Sequence, residues 1–219
     1  MSGSSGAKLG IAALAMLSIG LAACGSNTAA RSSSASEARV TSTTPAGITH
    51  ATTAGLEKFL LARGEEAGYQ PSGSVDTISD AAQLAGDGQG QTYVDRLRND
   101  GFDGSLSRSL RSTRGGGITS LFLFRSAAGA RKDAALDRRD LEIVYRGWTV
   151  KRFDVAGVPG GFGWTATRPG DRVGNIEWVE GRCVLTLGNA MHNGPASAFV
   201  GPLTAGVHAM HRRIAGQCP

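Results

Sequence analysis

From Leu9 to Leu21 the chain is an uncharged run of Leu, Ile, Ala, Met and small residues, preceded by Lys8. A membrane-spanning helix needs about 20 predominantly apolar residues. This run is shorter and closes on small residues, so residues 1–23 are expected to be a cleaved export signal rather than a retained span. Large apolar side chains then almost disappear. The stretch from Gly25 to Thr53 is rich in Ser, Thr and Ala, with only Arg31, Glu37 and Arg39 charged. Such a segment buries too little surface to offset the entropy of ordering it, so residues 24–53 are expected to form a disordered tether. Mixed, periodic sequence begins near Ala54 and runs to Pro219, a length that suits a single domain over 54–219.

Within that domain the periods alternate between helix and strand. Tyr93, Val94 and Leu97 sit on helical spacing in Thr92 to Asp100, and Gly101-Phe102 follows as a left-handed stop with an apolar residue able to fold back. Ile118 to Phe124 is apolar on both faces in its second half, the pattern of a central strand covered on both sides. Ser126 is placed to cap a helix reaching about Asp140, whose Ala127, Ala130 and Ala134 allow close approach to a sheet. From Thr149 to Gly188 a four-stranded antiparallel meander is predicted. Phe162, Trp164 and Ala166 alternate with Gly163, Thr165 and Thr167, and Glu180-Gly181-Arg182 joins Asn175–Val179 to Cys183–Leu187 as a hairpin. A last helix is expected from Pro202, a favoured first helical residue, to Gly216, with Leu203, Val207, Met210 and Ile214 on one stripe. Strand followed by helix thus occurs twice, at Ile118–Asp140 and Cys183–Ala215, without sequence identity between the two. The fold class expected is α+β, an antiparallel sheet with helices packed on it.

Charge changes this picture little. The formal +5 of the whole chain falls to +3 for the domain once Lys8 and the one excess arginine of the tether are set aside. Arg108, Arg111, Arg114, Arg138, Arg139, Arg212 and Arg213 are scattered among acidic residues, which reads as a solvated surface and not as a nucleic-acid interface. The cysteines are more informative. Cys183 and Cys218 are the pair left in the domain of an exported protein, and they lack the spacing of a redox or zinc motif, so a disulfide is expected between them.

Candidate chemistry is sparse. His50 falls in the tether, and His192, His208 and His211 lie near the C-terminus. His208 and His211 share one side of the last helix but lack the Glu of a His-Glu-x-x-His motif, so they are expected to be surface residues that hold no metal. No Gly-x-Ser-x-Gly elbow occurs. Glu65 with Glu66, Asp137 with Asp140 and Glu177 with Glu180 are the nearest paired carboxylates, each expected to be solvated because spacing alone cannot place them across a cleft. The strings Gly86 to Gly90 and Gly157 to Gly163 lack the strand-to-helix context and the Gly-Lys-Ser/Thr of phosphate loops, and read as turns. Trp148, Trp164 and Trp178, on short strands, are expected to be core. No catalytic residue, metal ligand or cofactor is assigned.

Leu21-Ala22-Ala23-Cys24 resembles the lipobox of bacterial lipoproteins, in which the Cys thiol is diacylated and becomes the first mature residue. That resemblance makes Cys24 the lipidation site, and two buried acyl chains suffice for stable attachment. With Leu123-Phe124-Arg125-Ser126-Ala127-Ala128-Gly129-Ala130 and Asn175-Ile176-Glu177-Trp178-Val179-Glu180-Gly181-Arg182-Cys183, the chain resembles lipoproteins of high-GC actinobacteria. It is loosely similar to the LpqN-type and kinase-sensor-type lipoprotein domains of that group, which implies an antiparallel sheet with helices packed on it. The expectation is a binding or accessory module held on the extracytoplasmic face of the cell membrane by its lipid. Its partner would be an envelope protein, a wall polymer or a small molecule, and not nucleic acid. An envelope hydrolase with an unrecognised active site and a structural spacer are the alternatives, and a pocket with its lining separates them.

Overall fold

A computed structural model describes residues 55–65, 68–85, 91–112, 115–192 and 197–218. The expected signal segment, Cys24, the tether, His50, Glu66 and the string Gly86 to Gly90 lie outside the described residues. Seven strands form one sheet in the order β1-β2-β3-β7-β6-β5-β4. They are β1 Gln70–Ile78, β2 Phe102–Arg111, β3 Gly115–Phe124, β4 Thr149–Asp154, β5 Phe162–Arg168, β6 Asp171–Glu180 and β7 Cys183–His192. Every adjacent pair is antiparallel. Helices α1 Ala81–Ala85 and α2 Gln91–Asn99 lie between β1 and β2, α3 Ala127–Val144 follows β3, and α4 Ser197–Ile214 follows β7. Among the described residues no helix is long and apolar enough to cross a membrane.

The α+β class, the meander β4 to β7, the central strand β3 and the capped helix α3 match the sequence pattern. Ser126 Oγ accepts the Gly129 N–H at 3.0 Å, and the chain leaves α2 through Gly101 at φ +81°. Strands β1 and β2 are additions that the pattern does not reveal. In β1 exposed and half-buried positions follow no strict alternation, and β2 carries its apolar anchors Leu106 and Leu110 among Gly, Ser and Arg. The last helix corrects the expected start: it begins at Ser197, with Pro202 inside it. A proline removes one bond to the carbonyl four residues back. Here that carbonyl belongs to Ala198, near the helix start, where the loss disturbs little of the ladder.

Alternation along the strands divides the buried side chains between two faces. On one face Leu106, Leu121, Leu123, Ile176, Trp178, Leu185 and Leu187 pack beneath the α4 stripe Leu203, Val207, Met210 and Ile214, all four of which are fully buried. Leu56, Phe59, Leu60 and Leu61 join this core. The N-terminal segment is pinned there by Leu61 N–H donating to Thr119 Oγ1 at 3.2 Å. Arg213 adds a fork to the Glu65 carboxylate at 2.9 and 2.6 Å. Glu65 is therefore an ion-pair partner and not the solvated acid expected. The Cys183–Cys218 disulfide, with Cα atoms 6.2 Å apart, joins the first residue of β7 to the chain just beyond α4.

On the opposite face helix α3 lies across the sheet. Its first half, through Ala130 and Ala134, packs with Tyr93, Val94, Leu97, Phe102, Phe124 and Val184. Its second half places Leu141 and Tyr145 against Trp164 and Ala166. The two strand-then-helix units noted in the sequence thus put their helices on opposite faces. Gly129 explains the close approach at the start of α3, since a Cβ there would lie 1.9 Å from the Asp100 carbonyl oxygen.

Candidate functional site

The two apolar clusters under α3 do not meet, and a cleft of about 90 Å³ lies between them. Its apolar walls include Ile78, Leu84, Ile118, Phe122, Leu141, Val144, Tyr145, Phe162 and Trp164. Its floor is polar, and strand register is the reason. Ser107 pairs with Ser120, Ser120 with Thr186, Thr186 with Glu177, and Glu177 with Phe162. These positions form one row across β2, β3, β7, β6 and β5, with neighbours one inter-strand spacing of about 4.8 Å apart. Ser105 and Asn175 line the cleft on either side of the row.

Ser105 and Ser120 are 4% and 5% exposed, yet neither hydroxyl bonds another described residue, and the same holds for Ser107 and Thr186. Buried polar groups in folded proteins nearly always find partners. Hydroxyls that face a cavity instead are available to whatever occupies it.

The rim and one end of the row are charged. Arg138 on α3 lies with Nε 3.3 Å from Glu177 Oε1 and donates through a terminal nitrogen to the Gly160 carbonyl at 2.9 Å. Its guanidinium stands 5.0 Å from the centre of the Phe162 ring. Arg96 on α2 bridges Asp137 and Asp133 of α3 at 2.8 and 3.2 Å. Burial, reinforced by Asp137, pushes the Glu177 carboxyl up to about 8, against the pull of Arg138. Burial and Asp137 likewise raise Asp133 to about 7 against Arg96. Asp137, whose side chain is 30% open, is shifted upward by desolvation and held back by Arg96.

Several expectations are corrected here. Asp137 and Glu177 are not fully solvated charges: the helix and the sheet bring them to one cleft, and Arg96 ties Asp137 to Asp133, which the sequence did not single out. Their formal neighbours do not join them. Asp140 pairs with Arg139 at 2.7 Å, and Glu180 accepts the Gly216 N–H at 2.7 Å beyond α4. The tryptophans divide. Trp178 is fully buried in the core beneath α4, whereas Trp164 lines the cleft. His208 Nε2 lies 2.7 Å from the Ala156 carbonyl. His211 is only 16% exposed in its side chain, with Nδ1 4.0 Å from Glu180 Oε2, so it is not the surface residue expected. Neither imidazole belongs to the cleft. Ser105, Ser107, Ser120 and Thr186 were missed altogether, and the signal that carried them was hydroxyl residues standing inside otherwise apolar strands.

No protein-family model matches the chain, and no curated protein matches it. Among solved structures it is similar to the extracellular domain of PknH from Mycobacterium tuberculosis. Identity is 11% and the TM-score 0.38, with 67% of this chain and 86% of that one covered. This is a loose likeness, and it carries nothing about ligand or partner.

Proposed function

We propose that the chain is held by acylated Cys24 on the extracytoplasmic face of the cell membrane and works there as a binding module, with its ligand in the cleft beneath α3. The observation that carries this reading is the floor: a row of buried and half-buried hydroxyls without partners among the described residues, closed in by apolar walls. Small-molecule sites have that composition, mostly hydrocarbon with a few convergent polar groups that fix orientation. A structural spacer has no need of such a row, and leaving it unpaired in a core would cost stability.

Ser120 lies mid-row, so Ser120→Leu fills the cleft from its floor. Small molecules extracted from wild type and variant, each purified from its native membrane, are compared by mass spectrometry. A compound enriched on the wild type and lost from Ser120→Leu supports the reading. Equal recovery from both, or no compound on the wild type, removes it.

A hydrolase is the second reading, favoured by the meeting of Asp137 and Glu177 in one cleft with raised pKa values. Each carboxyl is engaged by an arginine, which suits binding better than acid–base exchange. A Glu177→Gln variant that abolished turnover of an envelope ester or glycoside, while leaving its binding intact, would establish the hydrolase instead.

A further inference from the structure

The cleft and the ion-pair network behind it together hold an uneven number of charges. Asp133, Asp137 and Glu177 face the two guanidinium groups of Arg96 and Arg138. Of the charged groups nearby, Lys132 pairs with Asp100, Arg139 with Asp140 and Arg152 with Glu142, and Arg131 of α3 is exposed. Fully ionised, the five groups carry one negative charge in excess. Asp133 and Glu177 have little access to water, with side chains 6% and 7% exposed. An uncompensated charge in such a place is costly unless a proton or a cation neutralises it.

The surroundings already hold one cation well. The guanidinium of Arg138 rests on Phe162, the cross-strand partner of Glu177. Beyond it the rings of Tyr145 and Trp164, 4.8 Å apart, form an aromatic wall of the same cleft. Aromatic faces and buried carboxylates both attract ammonium groups. The hydroxyl of Thr186 stands next to Glu177 and that of Ser120 one strand further along the row, both acceptors without another described partner, while Ile118, Phe122 and Val144 offer only hydrocarbon.

We infer that the ligand of the cleft is a cationic amphiphile, with a primary ammonium head between Glu177 and Asp137 and an apolar body against Ile118, Phe122 and Val144. This rests on the binding reading of the cleft and names its ligand class. The ammonium supplies the missing positive charge, and its N–H groups reach the carboxylates and the hydroxyl row together. A carboxylate head in the same position would add to the acidic excess.

The test is an NMR titration of the full chain at about pH 8 with hexylammonium, hexanoate and hexanol, which share one apolar body and differ in head. Hexylammonium is expected to bind about tenfold more tightly than hexanoate. The preference should shrink several-fold in Glu177→Gln, and in Asp137→Asn as a second, independently folded variant. Hexanoate binding as tightly as hexylammonium, or a preference unchanged in both variants, overturns the inference. If hexanol and hexanoate bind and Ser120→Leu abolishes their binding, the cleft reading stands while the cation falls. If none of the three binds, both fall.

Discussion

Ser120 of β3 stands directly opposite Thr186 of β7, and both hydroxyls face the cleft under α3 without a partner among the described residues. The pair therefore contributes to the cleft and not to the cohesion of the sheet. Replacing Thr186 by Val keeps its shape and removes the hydroxyl. Stability should change by less than about 1 kcal/mol, since no hydrogen bond is lost. Ligand retention should fall. Urea melts together with ligand recovery check this, and a loss of several kcal/mol would show that Thr186 has a structural partner after all.

The raised acids predict the sign of pH dependence. The folded state keeps protons on Glu177 up to about 8 and on Asp133 up to about 7, whereas an unfolded carboxyl releases its proton near 4. Folded protein thus holds more protons than unfolded protein between those limits, and stability falls as pH rises through the window. The contribution of these groups is fully present below about pH 4 and lost by about pH 8. Melts from pH 5 to 8 should show the decline, and Glu177→Gln should flatten it. A midpoint that rises with pH in the wild type, with no change in slope in the variant, would contradict the assignment.

The disulfide closes a segment with a sequence separation of 35. In the chain-entropy model a bridge of that size stabilises by roughly 3 to 4 kcal/mol. The Cys183→Ser, Cys218→Ser double variant should lose most of that in urea melts, and denatured, unreduced protein should show neither residue as a free thiol. An unchanged midpoint would leave the attachment of α4 to its apolar stripe and to Arg213.

Gly129 touches the Asp100 carbonyl so closely that an added Cβ would lie 1.9 Å from it. Backbone cannot yield cheaply at that point, because Arg125 N–H bonds the adjacent Gly101 carbonyl at 2.8 Å. Gly129→Ala is expected to destabilise by about 1 to 3 kcal/mol despite the better helix propensity of Ala. Thermal melts decide it, and a gain in stability would mean that α3 can lift from the loop.

Anchoring is tested apart from the fold. Mass spectrometry of the membrane fraction should find a diacylated peptide beginning at Cys24, and Cys24→Ser should release the chain from the membrane. An unmodified Cys24 in the membrane-bound protein would refute the lipobox reading.

Much of the fold was legible because its signals are local. Alternation in Phe162–Ala166 and the short link Glu180-Gly181-Arg182 mark the meander. The α4 stripe Leu203, Val207, Met210 and Ile214 repeats at helical spacing, and Cys183 and Cys218 had only each other as partners in the domain. Strands β1 and β2 escaped because Gly, Ser and charged residues blur their period, and the pairing of β1 with β2 and of β2 with β3, rather than their own composition, makes them strands. The cleft lay beyond the reach of sequence for a related reason. Ser107, Ser120, Thr186 and Glu177 are far apart along the chain and become one row only through the register of four strands. Glu177 looks like any exposed acid on a strand until helix α3 covers it and strips its water. Local periodicity determines which segments form helices and strands. Which side chains share a cavity, and which charges are desolvated there, depends on long-range pairing and packing that no window of the chain contains.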